Sequence, residues 1–180
     1  MSRHAPQPYR DRRERGNIVL VGMPGVGKSS VGVILAKAAG RFFLDTDLLI
    51  QMREGRSLQQ LIDERGASGF RALEERYVRQ LDCDQHVIAT GGSVVYGERA
   101  MHHLRWLGQV IHLELPLPQL AQRLSNLAVR GVVMDPGQSL HELYEERLPL
   151  YHKRAHQSLC VSRLSPDQIV DRLLTLIAEV

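Results

Sequence analysis

The sequence is short of several things, and each shortage closes off a class of protein. It holds only two cysteines, Cys83 and Cys160, in 180 residues, too few to staple a domain of this length, so they are expected as reduced thiols in a cytoplasmic protein. No apolar run approaches the roughly 20 residues that span a bilayer, so no membrane partner is expected. Asparagine occurs only as Asn17 and Asn126, and neither opens the Asn-Lys-x-Asp element that reads guanine in GTPases of similar length, which argues against a GTP switch. The eight histidines form no zinc pattern; His152 and His156 are four apart on an expected helix, but with no third ligand in view they read as an exposed helix face. Lysine occurs three times against twenty arginines, so arginine enrichment alone says little.

Nor does the basic balance belong to the body of the protein. The net charge is +3, and Met1 to Gly16 carries Arg3, Arg10, Arg12, Arg13 and Arg15 against Asp11 and Glu14, which leaves 18 basic and 18 acidic residues in the remainder. With Pro6, Pro8 and no hydrophobic period, residues 1–16 are expected as a flexible, solvated tail, and 17–180 as one domain. The tail lacks the apolar segment of a secretory signal, and its two acids and lone Ser2 argue against a transit peptide. A weak polyanion-binding arm is the other reading of it; no nucleic-acid partner is expected for the body, and a monomer is.

What is present is a composition able to bury a core, 43% hydrophobic and 24% charged, arranged as short apolar runs alternating with helical periodicity. Strands are expected at Asn17–Gly22, Phe42–Leu44, His86–Thr90, Val110–Leu115 and Ser158–Ser162. Helices are expected at Gly27–Ala39, from the Asp45/Asp47 pair onward, from Ser57 to about Asp82 with interruptions near Gly66 and Gly69, at Glu98–Leu107, from Pro116 and Pro118 to about Leu127, from Ser139 to about His156, and from Ser165-Pro166 to the end. Strands that are apolar throughout and alternate with helices imply a parallel sheet covered on both faces.

The strongest motif is Gly22-Met23-Pro24-Gly25-Val26-Gly27-Lys28-Ser29, which fits G-x-x-x-x-G-K-[ST] and lies between Ile18-Val19-Leu20-Val21 and a helix. In that pattern the glycines let backbone N–H groups turn toward phosphate oxygens at a helix N-terminus, Lys28 reaches the β and γ phosphates and Ser29 holds Mg²⁺. A conventional acid ending a later apolar strand is missing. Acids instead follow the second strand at Asp45 and Asp47, where one can serve Mg²⁺ and the other an acceptor hydroxyl. That division suits a small-molecule kinase. Asp47 is also well suited to cap the helix, a role compatible with catalysis. Arg71, Arg130 and Arg147, taken singly, read as surface arginines in helix-face pairs.

Together these segments resemble the shikimate kinase family: Gly22 to Ser30, Asp45-Thr46-Asp47, Phe70-Arg71-Ala72-Leu73-Glu74, Ala89-Thr90-Gly91-Gly92 and Arg147-Leu148-Pro149-Leu150-Tyr151, in the family's order over about residues 17–178. The resemblance implies a nucleoside-monophosphate-kinase-like, three-layer α/β/α fold with a five-stranded parallel sheet and a mobile lid at about 128–138. It implies transfer of the ATP γ-phosphate to the 3-hydroxyl of shikimate, in aromatic amino-acid biosynthesis. Carried over by position, Gly25, Val26, Gly27, Lys28, Ser29 and Ser30 hold the nucleotide phosphates, Arg123 packs on adenine and the lid Arg130 meets the transferring phosphate. Ser29 and Asp45 serve Mg²⁺. Asp47 holds the acceptor hydroxyl as candidate base, Arg71 and Arg147 clamp the substrate carboxylate, and the Gly91-Gly92 backbone lies against the ring.

The chain departs from the family's pattern twice. Ser93 stands where a third glycine is usual, adding a hydroxyl at the expected substrate wall, and Arg130-Gly131-Val132-Val133 replaces Arg-Pro-Leu-Leu in the lid. These departures keep two other readings open: a related kinase for another small hydroxy acid or a nucleoside monophosphate, and a catalytically weak nucleotide-binding regulatory protein.

Overall fold

The structure, a computed structural model, describes residues 16–126 and 132–178. Strands β1 (Asn17–Val21), β2 (Phe42–Asp45), β3 (His86–Ala89), β4 (Gly108–Glu114) and β5 (Gln157–Cys160) form one all-parallel sheet in the order β2-β3-β1-β4-β5. The helices are α1 (Lys28–Ala38), α2 (Thr46–Glu54), α3 (Leu58–Val78), α4 (Glu98–Leu107), α5 (Leu117–Asn126), α6 (Leu140–Arg154) and α7 (Pro166–Ala178). The chain crosses from β1 toward β2 through α1 and from β3 toward β4 through α4. Parallel crossovers are right-handed, so two that run in opposite directions place their helices on opposite faces of the sheet. This gives the expected three layers, with α7 packed beside α1.

Expected and observed elements agree in order and, within a few residues, in extent. The exceptions have local causes. From Ser57, whose side chain caps α3 together with Gln60 in a capping box, the helix is interrupted at Gly66 alone (φ 67°, ψ 173°), while Gly69 stays helical. A short 3-10 turn at Val94–Tyr96 follows the Gly91-Gly92 break, too brief to leave a periodicity. α6 ends at Arg154, so His152 and His156 do not share a helix face; the His156 ring accepts from the Val110 N–H at 2.9 Å. Nor does His152 lack neighbours of its own kind, because the fold sets His112 and Glu114 beside it.

The main core is the sheet itself with the inner faces of α1, α4 and α7. A second, smaller core of Ile50, Leu61, Phe70, Leu73 and Val133 ties α2 and α3 to the segment that begins at residue 132. Among the described residues no helix is long and apolar enough to cross a membrane, and neither Cys83 nor Cys160 is in a disulfide. The basic leader through residue 15 and the stretch 127–131, which includes Arg130, lie outside the described residues.

One polar side chain joins three elements at the start of the sheet. Asn17 is 2% exposed, and its amide donates to the carbonyls of Cys83 (2.8 Å) and Leu107 (2.9 Å) while accepting from the His86 N–H (2.8 Å). It therefore ties the start of β1 to the entry of β3 and the end of α4 at once. Asn17→Ala removes a side-chain partner from two carbonyls and an amide, one of the three bonds buried and two part-buried, and an unsatisfied buried group costs about 1–3 kcal/mol. We expect an overall loss of about 3 kcal/mol in urea unfolding; a loss below about 1 kcal/mol shows that the strands hold register without it.

Candidate active site

β1 ends at Val21, and from Gly22 the chain wraps back on itself before α1. Gly25 and Gly27 adopt φ of 79° and 108°, values that a side chain disfavours. Gly27 is the N-cap of α1 and carries no capping side chain, so the first N–H groups of the helix face the cleft. Lys28 is buried, and its ammonium donates to the carbonyls of Gly22 (2.7 Å) and Met23 (3.0 Å). Burial lowers its pKa to about 8 against the opposing pull of Asp47. Arg123, from α5, donates to the Val26 carbonyl at 2.9 Å and so braces the loop from outside. A cleft of about 610 Å³ runs from this loop and Arg123 past Pro166 and Ile169 at one end to Asp47, Thr90 and Gly92 at the other.

The acidic pair closes β2 and opens α2. The cap expected of Asp47 falls to Asp45: one Asp45 oxygen accepts from the N–H groups of Asp47 (2.9 Å) and Leu48 (3.2 Å), and the other accepts from the Ser29 hydroxyl at 2.6 Å. Asp45 has the extended backbone of an N-cap, whereas Asp47 is already inside the first turn and its carboxyl is left for the cleft. Burial, then the neighbouring Asp45, raise Asp47 to a pKa of about 6, with Lys28 opposing.

Beyond Asp47 lies a second buried carboxyl that the sequence reading did not single out. Glu74 is 1% exposed and is pushed up to about 8, first by burial and then by Asp47, with the Ser93 hydrogen bond and the Arg147 charge opposing. The Ser93 hydroxyl is 2.5 Å from it. Ser93 itself is 2% exposed, so the hydroxyl expected at the pocket wall is turned into the protein and used on Glu74. Gly91 fits between the acids: a Cβ there would stand 2.1 Å from Glu74 and 2.7 Å from Asp47. One at Gly92 would meet Pro24 at 2.8 Å and Arg147 at 3.2 Å. The backbone approaches this closely only because both residues lack side chains. The spacing Arg71 to Glu74 puts an acid and a base on one helix face, the signal that could have marked Glu74.

The two arginines of the α3 and α6 motifs do converge. Arg147 is not a surface residue; it is wholly buried, with Nε donating to the Tyr96 hydroxyl (3.2 Å) and Nη2 to the Val133 carbonyl (2.5 Å). Its guanidinium lies 5.1 Å from the Tyr96 ring centroid and that of Arg71 lies 4.2 Å from the same centroid. Tyr96, on the unforeseen 3-10 turn, is thus the platform for both. Arg71 is 3.5 Å from the Asp135 carboxylate. Among the described residues, Nε and Nη2 of Arg71, Nη1 of Arg147 and one oxygen of Glu74 are buried without a hydrogen-bond partner. Buried guanidinium N–H groups left open in this way fit an anion with two acceptor oxygens.

The family model for shikimate kinase matches residues 24–178. The chain is 33% identical to the shikimate kinase of Sulfurihydrogenibium sp. (strain YO3AOP1) over 160 residues, covering 88% of this chain and 96% of the relative. It is 40% identical to that of Synechococcus sp. (strain RCC307) over 149 residues, covering 81% and 76%. A shikimate kinase from Acinetobacter baumannii, solved in complex with shikimate, superposes with a TM-score of 0.84 at 30% identity, covering 91% of this chain and 93% of that one. The chain with this phosphate loop, acid pair and arginine pair belongs to the shikimate kinase family, P-loop phosphotransferases that act on an alcohol group.

Proposed function

We propose that the protein transfers the γ-phosphoryl group of ATP to the 3-hydroxyl of shikimate, with the residue roles that follow. The observation that carries this reading is the Gly91-Gly92 backbone, with the Asp47 carboxyl against one residue and the unpartnered Nη1 of buried Arg147 against the next, while Arg71 shares the Tyr96 ring with Arg147. A planar carboxylate fits two guanidinium forks, and a ring hydroxyl held beside Asp47 has a base within reach.

The loop supplies anion recognition: N–H groups of Gly25, Val26, Gly27, Ser29 and Ser30 and the ammonium of Lys28 surround the phosphates, Arg123 stands at the adenine end, and Arg130 is assigned to the transferring phosphate. Ser29 and Asp45 offer hard oxygen donors in direct contact, 2.6 Å apart, a donor set suited to Mg²⁺, which takes one or two protein oxygens and keeps its waters. When bound, Mg²⁺ neutralises charge on the β and γ oxygens of ATP. Asp47 accepts the hydroxyl proton as the acceptor oxygen bonds to the γ-phosphorus and the bridging oxygen leaves on ADP. Its raised pKa places it near the useful range of a general base. Because Ser93 binds Glu74, it adds no new polar group for a different acceptor to use.

The direct test is a coupled ADP assay with shikimate, gluconate and CMP as separate acceptors. ADP formation is expected with shikimate alone, and no rise over background at millimolar shikimate overturns the assignment. Asp47→Asn is expected to bind ATP normally and to lose about 10²–10⁴-fold in kcat; near-normal turnover removes Asp47 from catalysis. Since the base must be ionised and its pKa is raised to about 6, kcat is expected to be flat above that pH and to fall about tenfold per unit below it. Arg71→Lys keeps the charge but not the fork. It is expected to raise the KM for shikimate by about tenfold or more, with the KM for ATP unchanged.

A further inference from the structure

One cluster of chemically active side chains takes no part in this mechanism. His112 and Glu114 are two apart on β4, so both stand on one face of the sheet, and α6 lays His152 over them. One ligand atom from each of the three lies within 4.8 Å of the others. We propose that His112, Glu114 and His152 form a binding site for a divalent transition metal, Zn²⁺ by its donor set, that fastens α6 to the end of β4.

The geometry of each member fits a ligand. His112 is 1% exposed, and its ring is fixed from two sides, stacked on Tyr151 at 4.8 Å between centroids and with Nδ1 3.3 Å from the Ser158 hydroxyl. With the Nδ1 proton given to Ser158, the lone pair is on Nε2, the arrangement in which an outer hydrogen bond orients a ligating imidazole. His152 Nε2 and Glu114 Oε2 are 2.9 Å apart, near the roughly 3 Å between adjacent ligands of a metal held at about 2.0–2.1 Å. Their side chains are 48% and 30% exposed, which gives the ion an entry path, a place for a water ligand and the freedom to close on the fixed His112 ring. Two imidazoles and one carboxylate select Zn²⁺ and its neighbours over Mg²⁺, so the site does not compete for the ion that phosphoryl transfer uses. α6 also carries Arg147 and Tyr151, and fastening it holds the wall on which those residues stand.

The test uses the full chain, freed of metal by a chelator and kept in excess Mg²⁺. Co²⁺ titration is expected to give the visible d–d absorption of a low-symmetry site at one equivalent, and Zn²⁺ to bind saturably by calorimetry and to raise Tm. His152→Ala and Glu114→Gln, neither at a buried position, are each expected to weaken binding by about tenfold or more, while His102→Ala on α4 leaves it unchanged. Absence of saturable binding below millimolar Zn²⁺, or binding that survives both substitutions, overturns the proposal.

Discussion

The constraint on which the site depends is the removal of ionisable side chains from water around one cleft. Burial is the largest influence on Lys28, Asp47 and Glu74, and in each it disfavours the charged form, lowering the amine and raising both acids. Arg147 cannot respond in this way because a guanidinium does not lose its proton. It is accommodated by a phenol, a backbone carbonyl and an aromatic ring, none of them an anion. A buried cation with no carboxylate hydrogen-bonded to it is expensive, and an arriving anion repays more here than it would at the surface. The same low dielectric that strains the resting charges strengthens their contacts with phosphate and carboxylate.

The fold brings these groups together because strand order reverses around β1. The loops after β1, β2 and β3 all emerge at the carboxyl end of the sheet, where α/β proteins bind ligands. β1 delivers the phosphate loop, β2 the acid pair and β3 the two glycines. Asn17 at the other end joins β1 to the entry of β3 and the end of α4. A slip by one residue would turn the apolar side chains of β1 and move Gly22 relative to Asp45 and Gly91.

Much of this was legible in the sequence, and the boundary of legibility is physical. The phosphate loop could be read because its chemistry lies in backbone conformation, which glycine spacing encodes directly. The strands could be read because burial on both faces leaves unbroken apolar runs. The burial of Arg147 could not, since a helix-face arginine in a charged stretch looks like a solvated one until Tyr96 and Val133 close over it. Tyr96 gave no signal, being one aromatic in a single turn of 3-10 helix. Ser93 was visible as a departure, but the direction of its hydroxyl depends on Glu74, nineteen positions away on another element. Likewise Asp45 and Asp47 were distinguishable as a pair, while which of them caps α2 was settled by backbone angles that two acids at i and i+2 do not announce.

α6 is where these long-range dependences accumulate. Arg147 and Tyr151 are one helical turn apart and share a face. The first holds the Val133 carbonyl and the second donates to the Gly92 carbonyl at 2.5 Å. A single rigid element thus joins the segment over the cleft to the glycine wall beneath it. Val133 also sits in the small core with Leu61 and Phe70, and Asp135, two residues on, faces Arg71. An anion that engages Arg71 meets the charge of Asp135 at the same guanidinium. Val133 and Asp135 lie on one segment, so its contacts with Arg147 and Arg71 are made at the same two guanidinium groups that an anion would engage. By linkage, whatever free energy the acceptor contributes to positioning this segment, the segment returns as acceptor affinity.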